Sequence, residues 1–234
     1  MKHQQLKMLL YFLWGLLTMG LTAYLLAGPI ALQNTTAGMV LSICFLIAAI
    51  VAVLAAEGSI FPENYSFPEK RRLSRISYLL NAVASGCAVG SVLIDKQIAA
   101  SAEMFFALVP AAGLALLISL LCVFTEGALQ KAFRIAFTVL AVALCAGAIC
   151  LWIFVSAPLG CMALFSGLFL LLFPVGLRYA DKSPKEWSRY LSYTGFGAFF
   201  VIFFAAVLIL SDGDALDGLD IDFGHSTRKK KRLH

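Results

Sequence analysis

The chain has 234 residues and a formal charge of +5, with 61% hydrophobic and 13% charged residues, against roughly 45–50% and 25% in soluble domains. That excess excludes a soluble globule. The basic residues lie in short connections between apolar blocks, which also argues against a nucleic-acid-binding stripe.

The pattern reads as an all-α, polytopic transmembrane bundle of seven spans within residues 1–211, closed by an acidic-then-basic disordered tail over 212–234. Span one covers about Met8 to Gly28. Lys2 and Lys7 precede it as in a signal peptide, but its apolar run is long and no A-x-A site follows, so it is read as a retained span. Pro29 ends it, and an uncharged link leads to span two, about Ala37 to Ala56. A basic loop, FPENYSFPEKRRLSR, leads into span three, about Ser74 to Ile94.

Span three carries the most information. At about 100° per residue, Ser77, Asn81, Ser85, Ser91 and Asp95 share one stripe, and Gly86 and Gly90 fall nearly opposite. Small residues on two sides let neighbouring helices approach closely, and only Ile76, Leu80, Val83, Cys87 and Ile94 form an arc suited to lipid. The stripe is a candidate for solute binding or helix packing, and this span is expected at the centre of the bundle.

Span four, about Met104 to Thr125, contains Pro110, a candidate kink. Span five is about Ala136 to Val155 and presents a second small-residue face, Ala143/Gly147. Span six, about Cys161 to Val175, is the shortest block, and span seven, about Tyr193 to Leu210, is rich in Phe.

Lys and Arg alternate between the two sides. Lys70, Arg71, Arg72 and Arg75 follow span two, Lys131 and Arg134 follow span four, and Arg178, Lys182, Lys185 and Arg189 follow span six, whereas the other connections carry only Lys96. The positive-inside rule therefore places the N-terminus in the cytoplasm, in a cell membrane or comparable bilayer. The two larger clusters, from Lys70 to Arg75 and from Arg178 to Arg189, are expected to contact anionic head groups. An echo between SFPEKRRLSRISYL and KSPKEWSRYLSY raises the possibility of a 3+1+3 plan in which spans one to three and five to seven are parallel copies.

Little catalytic chemistry is legible. No ionisable group lies near the middle of a span; Glu57 and Glu126, each followed by Gly, end spans two and four and form a candidate gate or ion pair. His3, His225 and His234 are all terminal, and no HExxH, GxSxG, P-loop or GxGxxG motif occurs, so neither metal nor cofactor is expected. The six cysteines read as small packing residues, with a Cys150–Cys161 disulfide as the alternative. Asp212, Asp214, Asp217, Asp220 and Asp222 lack EF-hand spacing and read as a solvated tail.

Three functions fit. The first is a non-catalytic membrane subunit or scaffold, packing with another membrane protein or itself through Gly86/Gly90 and Ala143/Gly147. The second is a small permease for a neutral or amphipathic solute, its path lined by Asn81, Ser85, Ser91, Thr138 and Ser166. The third is a lipid-acting enzyme at the cytoplasmic rim, using Glu57, Glu63, Glu69 or Asp181.

Overall fold

A backbone in hydrocarbon must satisfy its own hydrogen bonds, and the described residues do so with helices. The computed structural model describes residues 3–27, 34–59, 67–95, 109–123, 127–154, 157–182 and 187–210. These form α1 (His3–Ala27), α2 (Thr35–Glu57), α3 (Phe67–Asp95), α4 (Val109–Val123), α5 (Gly127–Phe154), α6 (Ala157–Lys182) and α7 (Trp187–Leu210). Five of them, α1, α2, α3, α5 and α6, are long and apolar enough to cross a membrane, as suits a multi-pass protein.

Several helices overshoot their apolar blocks. α3 starts at Phe67 and takes Lys70, Arg71, Arg72 and Arg75 into its first turns; α5 likewise takes in Lys131 and Arg134. Span six, expected to be the shortest, is a 26-residue helix that carries Arg178 past the apolar block. Lys and Arg are good helix formers whose long stems let the charge reach water, so hydropathy marks the membrane edge and not the helix end. Pro110 lies in the first turn of described α4, where a proline imposes no kink, while Pro174 is interior to α6.

α3 is the hub. It packs against α1, α2 and α7, and 61% of its most apolar 18-residue stretch is buried, against 11% for α5. Cys87, expected toward lipid, is buried instead. α6 joins α5 and α7, and α4 touches α6, α5 and α1 more lightly. The 3+1+3 plan does not extend to packing: in the first triplet the shared partner is α3, the third helix, and in the second it is α6, the middle one.

The core is aromatic. Phe12 of α1 meets Phe169 and Phe173 of α6 at ring-centroid distances of 5.7 and 5.2 Å, and Tyr78 of α3 lies tilted against Phe199 of α7 at 5.2 Å. Tyr78 is fully buried and donates its hydroxyl to the Phe12 carbonyl at 2.8 Å. Its ring lies directly against Gly15 and Gly195, leaving no room for a side chain at either. Cys150 and Cys161 are both free thiols, so the connection between α5 and α6 carries no disulfide.

Gly86 and Gly90 are occupied within the chain. Their open side holds α1, so that a Cβ on Gly86 would stand 2.5 Å from the Met19 carbonyl oxygen. At Gly147 a Cβ would meet nothing within 4 Å. Gly86→Ala is therefore expected to destabilise by about 1–3 kcal/mol, and Gly147→Ala to be neutral or slightly stabilising through helix propensity, by at most about 1 kcal/mol. Thermal and denaturant unfolding of the two variants in one detergent checks the contrast.

Candidate functional site

Two polar features stand out in the apolar bundle: the seam along α3 and a clamp where α2 meets α7. In the seam, Ser77 donates to the Ala49 carbonyl of α2 at 2.7 Å and accepts from Ser192 of α7 at 3.1 Å. Ser42 of α2 donates to the Ala84 carbonyl at 2.8 Å. Ser91 is buried, bonds back to the Cys87 carbonyl at 2.8 Å and touches the Gly38 backbone region. These serines let α2, α3 and α7 approach closely by cross-helix or back-bonded hydroxyls. Ser85 is buried in the same stripe, while Asp95 is exposed at its end.

Asn81 differs from its neighbours. It is fully buried, and among the described residues neither its amide nitrogen nor its carbonyl oxygen has a hydrogen-bond partner. An unpaired buried polar group costs about 1–3 kcal/mol. Asn81→Leu, close in volume, is thus expected to raise stability by a comparable amount. Differential scanning calorimetry in detergent would detect it, and a lowered midpoint would mean that the carboxamide is satisfied in the membrane.

The clamp begins with the end of α2. Gly58 adopts φ 78°, the left-handed conformation that closes a helix, and its N–H reaches the Ala55 carbonyl at 3.1 Å. That stop leaves Glu57 at the negative end of the helix dipole, an unfavourable place for a carboxylate. α7 supplies the compensation: Arg189 forms an ion pair with Glu57, and the Tyr193 hydroxyl donates to its Oε1 at 2.6 Å. Burial opposes the charge on Arg189, but the Tyr193 hydroxyl and the Glu57 carboxylate outweigh it and hold the guanidinium above its usual range.

Glu57 is therefore committed to α7, and Glu126, its expected gate partner, lies outside the described residues. Arg189 is half exposed, which screens the pair. A double-mutant cycle with Glu57→Gln and Arg189→Gln is expected to give a coupling of about 0.2–1 kcal/mol, smaller at high salt.

The remaining basic residues divide by environment. Arg75 lies over the Tyr11 ring at 5.1 Å. Lys70 and Arg71 are half buried, whereas Arg72 and Arg178 are exposed and free to meet head groups. Lys182 ends α6, and Lys185 and the acidic tail lie outside the described residues. The expected path residues are not gathered: Thr138 is exposed on α5 and bonds back to the Arg134 carbonyl at 2.9 Å, and Ser166 sits half-buried on α6. Among the described residues no group of three His, Cys, Asp or Glu side chains is placed to hold a metal.

Sequence reasoning missed Tyr78, Ser192 and the Arg189–Tyr193 pairing with Glu57. The spacing of Arg189 and Tyr193, one helical turn apart, was the available signal. No family model matches the chain, and no curated protein or solved structure does either.

Proposed function

We propose that the chain is a non-catalytic membrane subunit that docks a transmembrane helix of another membrane protein along the outer face of α5. The carrying observation is the contrast between the two small-residue faces. Gly86 and Gly90 are filled by the chain's own α1, while among the described residues nothing covers the Ala143/Gly147 face.

That face is long. Ala132, Ala136, Val139, Ala143 and Cys150 recur at helical spacing on α5 and all are exposed. The opposite side of α5 is already used, with Ala141 and Ala148 buried against α6. A groove of alanines flanked by exposed Ile135, Ile149 and Ile153 suits close approach of a second helix, because small residues let backbones come together where hydrophobic driving force is absent. The permease reading has less support: the seam hydroxyls of Ser42 and Ser77 serve contacts between helices, and Thr138 lies away from α3 on the outer surface.

The test is purification of the tagged full chain from its own membrane in mild detergent, followed by identification of what accompanies it. A stoichiometric membrane protein is expected, and it should be lost from the Ala143→Leu/Gly147→Leu variant while the variant keeps its melting midpoint. A solitary particle, or a partner retained by that variant, would refute this reading.

A further inference from the structure

A cleft of about 130 Å³ opens between α5 and α6, near the start of one and the end of the other. Arg134 of α5 and Arg178 of α6 both line it, and among the described residues no carboxylate does. This sets them apart from Arg189, which has Glu57. Below the two arginines the wall is largely apolar, formed by Phe137, Leu171 and Val175 beside Thr138, whose hydroxyl is turned back to the Arg134 carbonyl.

Pro174 also lines the cleft and has no N–H, so the Leu170 carbonyl, one turn earlier in the same wall, lacks its helical donor. The cleft thus combines two guanidinium groups, a carbonyl without its usual helical donor and a largely hydrocarbon-lined slot.

We propose that this cleft is a site for an anionic phospholipid, with Arg134 and Arg178 clasping the head-group phosphate and an acyl chain lying along Phe137, Leu171 and Val175. Guanidinium groups match phosphate oxygens in a planar, two-pronged geometry. Basic pockets between transmembrane helices are suited to such head groups. A zwitterionic lipid fits poorly, because its ammonium would sit beside two uncompensated cations. A head-group hydroxyl, as on glycerol, can donate to the Leu170 carbonyl. Free phosphate would leave the apolar wall unused.

The test is native mass spectrometry of the purified full chain, with phosphatidylglycerol, phosphatidylcholine of the same acyl chains, and inorganic phosphate as separate probes. Phosphatidylglycerol adducts are expected on the wild type and to weaken about thirtyfold in Arg134→Gln/Arg178→Gln, which removes two cations near the surface. The same charge loss in Lys70→Gln/Arg72→Gln, on α3, should leave them intact. Val175→Phe, which fills the slot but keeps both arginines, should also abolish them. Equal adducts with phosphatidylcholine, equal loss from both charge-neutralised doubles, or full retention in Val175→Phe would each overturn the site. Inorganic phosphate binding as tightly as the lipid would overturn it in favour of a soluble anion.

Discussion

The bundle depends on one aromatic side chain held between two glycines. Tyr78 lies where α1, α3 and α7 meet, against Gly15 on one side and Gly195 on the other, with its hydroxyl on the Phe12 carbonyl. Hydrophobicity gives no reason for one apolar helix to prefer another over lipid, so association rests on close packing and a few interhelical hydrogen bonds. Tyr78 provides both at a single point. From there the contacts spread to Phe199 and, through Phe12, to Phe169 and Phe173.

The polar groups extend the same logic. Serines on α2, α3 and α7 bond to backbone carbonyls or to each other, and Gln5 of α1 reaches the Leu177 carbonyl of α6 at 3.2 Å. Each contact links two helices at a cost of little volume. The result is lopsided: a closely joined group of α1, α2, α3 and α7 lies beside α6, which carries the sparsely covered α5 on its far side. Both the proposed helix-docking face and the lipid cleft lie on that less covered side.

Much of this was legible in the residues. The small residues on two sides of span three placed it at the centre, and the charge alternation marked the boundaries of the apolar layer. Gly86 and Gly90 were readable as packing positions, but their occupant was not, because a GxxxG face admits any helix that fits. Tyr78 was missed for a related reason: its role depends on Gly15 and Gly195, 63 residues before it and 117 after it in the chain. The partners of Glu57 were likewise out of reach, since pairing across 136 positions leaves no local pattern. Helix ends were misjudged wherever Lys and Arg continued a helix beyond the hydrocarbon.

α7 supplies one flank of Tyr78 and both partners of Glu57. It also follows α1 to α6 in the chain and so emerges after them during synthesis. Until it arrives, the chain holds in the bilayer a tyrosine pressed on one side only, and at the rim a carboxylate with no counter-charge. A chain interrupted before α7 is therefore chemically distinguishable from one that contains it by groups that α7 covers, the kind of exposed polarity that quality-control proteases and chaperones are placed to sense.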